Sequence, residues 1–266
     1  MTSIGIVGFG TIGRAILNAV TTGYLPVGVA GVTSRSAEKA KAYLQTLSDP
    51  PPYLDLEGLI AKADLLIETA GGSAVVDLAQ RTFAAGKDLL VISGGALLDH
   101  PELLALARKT NCRLIIPSGA IAGLDALKSA CAGKVDSVTI STRKPPQSWA
   151  GAPYVAEHNI SLEGITEETE IYSGPVREAC RGFPENVNVA AAVSMAGIGP
   201  DRTRIRMLAV PGLDRNCHIV EVKGEFGEFT VEIRNIQTDN PKTGRLAAMS
   251  VIRSIRDAVD PVRVGT

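Results

Sequence analysis

The stretch "SIGIVGFGTIGRAILNAV", Ser3 to Val20, limits what this chain can fold into more than any other. An apolar run leads directly into Gly8-x-Gly10-x-x-Gly13, and apolar residues at helical spacing follow at once. A strand that turns on glycine into a helix is built for a diphosphate. The first glycine permits the tight turn, the second lets the pyrophosphate approach the backbone, and the third lets helix and strand pack closely. The helix then begins with N–H groups that an anion can occupy. Gly8, Gly10, Thr11, Ile12 and Gly13 are therefore expected to cradle the pyrophosphate of a dinucleotide.

In such a site an acid about 20 residues further on, at the end of the second strand, binds the ribose hydroxyls. Here that position reads "GVTSRS", with Thr33, Ser34, Arg35 and Ser36 and no carboxylate. Hydroxyls and a guanidinium suit a 2′-phosphate, because arginine offers paired donors to phosphate oxygens. Ser34 and Arg35 are thus cofactor-binding candidates, and NADP, or use of both NAD and NADP, is favoured over NAD alone. The competing reading makes Arg35 a solvated loop charge.

"ADLLIETAGG", "KDLLVISGG" and "CRLIIPSGAIAG" are further apolar runs closed by Gly, Ser or Thr. Helix-like stretches, such as Ala37 to Leu47 and Ser73 to Ala85, lie between them. This alternation predicts an α/β fold with a Rossmann-type, doubly wound parallel sheet. With 45% hydrophobic and only 4% aromatic residues, the core must be built from Ala, Val, Leu and Ile, as buried parallel sheets are.

Beyond about Gly123 the pattern changes. "KVDSVTISTRK", "RTRIRMLAV", "CHIVEVKG" and "EFTVEIRN" read as strands of a mainly antiparallel sheet in a second α/β, catalytic domain. The last two flank a hairpin connection in "KGEFGEF". Along Val135 to Lys144 the pleat puts Val138 and Ile140 on one face and Ser137, Thr139, Ser141 and Arg143 on the other, so one face should be packed and one polar. A helix is expected from a cap at Asn186 to Gly197, and another after a cap at Asn240 with Pro241 in its first turn. The expected organisation is a dinucleotide-binding domain over 1–122, a catalytic and dimerisation domain over 123–239, and a C-terminal helix over 240–266 that returns to the first domain.

A net charge of −1, from 27 basic and 28 acidic residues without a block of one sign, points to neither a nucleic-acid partner nor a membrane surface. No apolar run approaches the roughly 18 residues of a membrane span. A first strand at Ser3 leaves no room for a secretory signal, so a cytoplasmic protein is expected. Cys112, Cys131, Cys180 and Cys217 are scattered and form no C-x-x-C pair, which indicates neither a metal site nor a disulfide framework.

Five blocks occur in order: "GIVGFGTIG", "PSGAIAGLDAL", "ENVNVAAAVS", "CHIVEVKGEFGEF" and "NPKTGRLAAMSV". Together they resemble the L-aspartate dehydrogenase family over nearly the whole chain. The resemblance implies a Rossmann domain joined to an α/β catalytic domain, usually in a homodimer. It also implies oxidation of L-aspartate by NAD or NADP to iminoaspartate, which hydrolyses to oxaloacetate and ammonia or feeds nicotinamide cofactor synthesis. The family's catalytic histidine matches His218, and its cofactor contacts match Ala122 in "AIAG" and Asn188 in "NVN". The chain departs from NAD-preferring members in lacking the acid near Thr33.

The chemistry wants a group that exchanges protons near neutral pH, first with the amine and then with the water that attacks the imine. Histidine's ordinary pKa near 6.5 suits both steps. His100, at a helix start, and His158, in a polar stretch, are the poorer candidates. Without the resemblance, alternation with Val220 and Val222 would make His218 an ordinary core histidine. Arg143, Lys144 and Lys242 are candidate cations for the two substrate carboxylates, each competing with a plain solvated charge. Two other readings stay open: a reductase of an aspartate-derived aldehyde or cyclic imine, and a cofactor-sensing Rossmann protein without turnover.

Overall fold

The computed structural model describes residues 1–236 and 244–265. The expected cap Asn240, Pro241 and the candidate cation Lys242 lie outside the described residues. The chain folds as two compact units, one comprising Met1–Pro117 with Val251–Val262 and the other Ser118–Ser250 with Arg263–Thr266.

The first unit is built on β1 (Ser3–Val7), β2 (Gly28–Thr33), β3 (Leu65–Glu68), β4 (Asp88–Val91) and β5 (Leu114–Ile115). They pair in the order β2-β1-β3-β4-β5, every pair parallel. Such strands must be apolar on both faces, and Ile4, Ile6, Leu66, Ile67, Leu89 and Leu90 are fully buried. The helices α1 (Thr11–Thr21), α2 (Ala37–Leu44), α3 (Leu56–Lys62), α4 (Val75–Ala84) and α5 (Pro101–Thr110) alternate with the strands. Local chemistry sets their ends. Asp55 caps α3 by accepting from the Gly58 N–H at 2.8 Å, Pro101 opens α5, and Asn111 closes it in the left-handed region. The chain steps from β1 to β2 on one side and then to β3 on the other. The order therefore reverses between β1 and β3, and a ligand crevice belongs at their carboxyl ends.

The second unit carries β6 (Val135–Lys144), β7 (Thr169–Pro175), β8 (Arg204–Ala209), β9 (Asn216–Gly224) and β10 (Gly227–Asn235) in the order β10-β9-β6-β8-β7. Its helices are α6 (Leu124–Ala130), α7 (Pro153–Glu157), α8 (Val176–Gly182) and α9 (Asn188–Ala196). The sheet is mainly antiparallel, with one exception: β8 runs parallel to β6. The edge strand β7 was not expected, because "SGP" at its end reads as a turn.

On β6 the face of Val138 and Ile140 is packed as expected and also carries the buried Thr142 and Lys144, and the other face is polar, with Ser141 the one buried residue on it. From Thr139 onward the strand is held between β9 and β8, whereas before that β8 gives it no partner. Asp136 and Ser137, in that earlier part, are exposed. Asn186 does not cap α9. The residue at the cap is Val187, which gives no side-chain bond, and the Asn186 amide is used elsewhere.

The Ser118–Ala122 turn packs with the second unit, where the buried Asn235 amide donates to the Ala120 carbonyl at 2.8 Å. The last helix, α10 (Arg245–Val259), places Val251 and Ile255 in one core cluster with Ile4, Ile6 and Ile16.

Candidate active site

In the first unit the three motif glycines have three different surroundings. Gly8 has φ +97°, and a Cβ there would lie 2.5 Å from the Thr69 carbonyl carbon. At Gly13 a Cβ would lie 2.4 Å from the Gly8 oxygen. At Gly10 it would meet nothing within 4 Å. The first and third glycines are therefore demanded by the protein itself, and the second faces the open space that a pyrophosphate needs.

No side chain caps α1, so the N–H groups of Thr11, Ile12 and Gly13 at its start suit an anion. The loop is tied on both sides: the Gly8 N–H donates to the Thr33 carbonyl at 2.9 Å, and the Thr69 hydroxyl donates to the Gly8 carbonyl at 2.6 Å.

A cavity of about 180 Å³ brings Gly8, Phe9 and Gly10 together with Ser34, Arg35 and Ser36, closed by Thr69 and Ala70. The motif glycines and the "SRS" segment, far apart in sequence, thus line one space. None of its lining residues is a carboxylate. The Ser34 carbonyl accepts from the Tyr53 hydroxyl at 2.8 Å, which holds this end of β2 in place beside an exposed Arg35.

In the second unit a polar cluster forms at one end of a sheet face. β6 and β9 pair with Val138 opposite Val222, Ile140 opposite Val220 and Thr142 opposite His218. Directly opposed residues project to the same face, so this face changes from apolar to polar along the strands. Thr142 Oγ1 lies 3.1 Å from His218 Nδ1, which orients the ring. His218 is 3% exposed, and burial first, then the charge of Lys144, pushes its pKa down to about 3. The imidazole is neutral at physiological pH.

Lys144, on the same strand face as Thr142, is 4% exposed. Its Nζ donates to Asn186 Oδ1 at 2.8 Å and lies 5.3 Å from the Trp149 ring centroid. The buried Asn216 sits two residues before His218 on β9.

The other candidates fall elsewhere or nearby. Arg143 points to the opposite face and bonds Glu168 at 2.9 Å. His100 is half-buried and bonds Glu102, and His158 stacks on Tyr154 at 3.9 Å; neither belongs to the cluster. Asn188 is the first residue of α9, two residues beyond Asn186. Ala122 is exposed in the turn before α6. That turn approaches the start of α9, since a Cβ on Gly119 would lie 3.9 Å from Val189 Cγ2.

Three features were not read from the sequence: the burial of Lys144, the Thr142 partner of His218, and the Asn186 contact. Each depends on register or on a contact between distant segments. A fourth, the buried Glu68 at the end of β3, left a visible signal as a lone acid closing the apolar "LLIE".

A parallel sheet with a glycine turn at its point of reversal, joined to a mixed-sheet unit that holds a neutral histidine beside a lysine, defines an NAD(P)-dependent oxidoreductase of Rossmann type. Residues 8–117 match the family described as homoserine dehydrogenase, NAD binding domain, and residues 125–258 match aspartate dehydrogenase, C-terminal. The chain is 43% identical to an L-aspartate dehydrogenase of Methanosarcina acetivorans, with 100% of both chains covered. It is 39% identical to L-aspartate dehydrogenase 3 of Bordetella bronchiseptica over 99% of this chain and 97% of that one. The crystal structure of aspartate dehydrogenase from Thermotoga maritima shares the fold, with a TM-score of 0.78 at 23% identity and 100% coverage of both chains. The chain belongs to the L-aspartate dehydrogenase family.

Proposed function

We propose that this protein oxidises L-aspartate to iminoaspartate, with NADP or NAD as hydride acceptor, and that hydrolysis of the imine gives oxaloacetate and ammonia. The observation that carries this reading is the neutral His218 set beside the buried Lys144, in a chain similar from end to end to L-aspartate dehydrogenases.

The amine must lose a proton before the Cα–H electron pair can leave. Bound NADP or NAD supplies the acceptor for that hydride. His218, neutral and oriented by Thr142, takes the proton from the substrate ammonium and releases it to solvent after hydride transfer; it then takes a proton from the water that attacks the imine carbon and returns it to the departing amine. Lys144 holds a substrate carboxylate. Burial is the larger cause of the low basicity of His218, and the lysine charge the smaller; the carboxylate offsets the smaller one and so favours the imidazolium in part.

Cofactor choice follows from the "SRS" end of β2. With no carboxylate among the residues lining that cavity, Ser34 and Arg35 receive a 2′-phosphate, which favours NADP or dual use. Ala122 and Asn188 contact the cofactor, as their match to the family implies, and the Asn188 amide at the start of α9 can donate to the carboxamide or ribose. The same reading makes the protein a cytoplasmic homodimer that feeds pyridine nucleotide synthesis. Among the described residues no helix is long and apolar enough to cross a membrane.

The test is to follow nicotinamide absorbance with oxaloacetate plus ammonia, separately with NADH and NADPH, and to repeat it with dihydrodipicolinate and the reduced cofactors and with homoserine and NAD⁺ or NADP⁺. Consumption with oxaloacetate and ammonia is expected, with NADPH used at least as well as NADH. Activity confined to homoserine or the cyclic imine would replace the substrate assignment. In the forward assay, with L-aspartate and NADP⁺ or NAD⁺, Lys144→Met is expected to raise KM for L-aspartate about tenfold, the scale of one charge-assisted contact.

A further inference from the structure

β3 ends on a charge buried at 0% exposure, Glu68. A carboxylate in such a place must be fully hydrogen-bonded. Glu68 Oε1 accepts from the Ala70 N–H at 2.7 Å, the Gly71 N–H at 2.8 Å and the Ser93 hydroxyl at 3.1 Å, and Oε2 accepts from the Ser93 N–H at 3.0 Å. Ala70 and Gly71 lie in the loop after β3, and Ser93 lies in the loop after β4. The next residue, Thr69, donates its N–H to the Val7 carbonyl at 2.8 Å and its hydroxyl to the Gly8 carbonyl at 2.6 Å. Two consecutive side chains thus tie together the carboxyl ends of β1, β3 and β4, the edge of the sheet where a cofactor lies.

The strand order assigns the parts of that edge. The β2 end, with Ser34 and Arg35, takes the adenosine ribose, and the β1 turn takes the phosphates. The remaining half of a dinucleotide extends over β3 and β4, onto the loops that Glu68 holds. We propose that Glu68 is a positioning residue for the nicotinamide half of the cofactor: it touches no ligand but fixes the Ala70–Gly71 and Ser93 backbones as one surface against which that half is seated. This rests on the reading that the first unit takes NAD or NADP.

The chemistry provides a discriminating variant. In Glu68→Gln the amide oxygen still accepts from Ala70 and Gly71, but the amide nitrogen then faces the Ser93 N–H, donor against donor, and the loop after β4 is released. The dissociation constants of two probes should be measured on wild type and variant: NADPH or NADH, and ADP, which carries the adenosine half alone. The expected result is that Glu68→Gln weakens the dinucleotide about tenfold, as for one lost buried hydrogen bond, while ADP stays within about twofold. Ser93→Ala, which removes only the hydroxyl bond, should weaken the dinucleotide about threefold with ADP again unmoved.

Equal weakening of both probes would mean that Glu68 merely supports the fold, and unchanged dinucleotide binding would mean that the loops need no such tie; either overturns the proposal. If Glu68→Gln does not fold, Ser93→Ala decides on the same two readings. If wild type binds ADP but neither NADH nor NADPH, the dinucleotide reading has failed, and this inference fails with it.

Discussion

His218 departs from its ordinary pKa of 6.5 to about 3 because burial and the nearby Lys144 both oppose the imidazolium. As pH falls through 6.5, the unfolded chain takes up a proton that the folded chain refuses until about pH 3. The stability contributed by keeping this histidine neutral is therefore complete above pH 6.5 and is lost as the pH falls from there toward 3. Urea unfolding across that window should show wild-type stability falling more steeply than that of His218→Gln, and identical slopes would contradict the burial argument.

Part of this was legible beforehand. Strand alternation already put His218 on a face with Val220 and Val222, and Lys144 beside Ile140. What could not be read was that β9 lies next to β6 in the register that sets Thr142 against His218, because strand pairing joins residues 76 apart. Lys144 was expected to compete with a solvated charge, the common state of lysine. Its ammonium instead meets the Asn186 amide, 42 residues away, a contact that strand alternation does not reveal.

At the scale of elements, local signals told most where the chain's own geometry is demanding. The β1 turn into α1 is such a place: a Cβ on Gly13 would fall 2.4 Å from a backbone oxygen, which has no side-chain freedom with which to move aside. Gly13→Ala should therefore destabilise the protein by about 1–3 kcal/mol, the cost of overpacking, and should weaken dinucleotide binding as well. Calorimetric or denaturant unfolding checks the first, and an unchanged midpoint would show that helix and strand can separate freely. By contrast β7 passed unread, since "SGP" carries turn chemistry that the neighbouring β8 overrides by pairing with it. The direction of β8 was likewise invisible, because apolar alternation looks the same in a parallel and an antiparallel partner. Asn186 is polar and local to the helix start, as expected, but it does not serve as the helix cap; its amide instead receives the Lys144 ammonium.

Over the whole molecule, the division of labour follows from composition and order. A nearly continuous apolar sheet in the first unit leaves its polar groups at the carboxyl ends of the strands, where Gly8, Gly10, Ser34 and Arg35 line one cavity. A mixed sheet in the second unit collects Thr142, Lys144, Asn216 and His218 at one end of an otherwise apolar face. The last helix adds Val251 and Ile255 to the core of the first unit, and each such fully buried side chain contributes about 1.5–3 kcal/mol.

In the proposed function, cofactor binding and proton transfer fall to different residues, with His218 serving only the second. The most direct test of this division is to measure, on His218→Ala and wild type together, the dissociation constant for NADPH and kcat with L-aspartate. The predicted result is an NADPH constant within about twofold of wild type and a kcat lower by roughly 10²–10⁴, the scale of a lost general base. Unchanged turnover, or loss of NADPH binding in parallel with turnover, would contradict it.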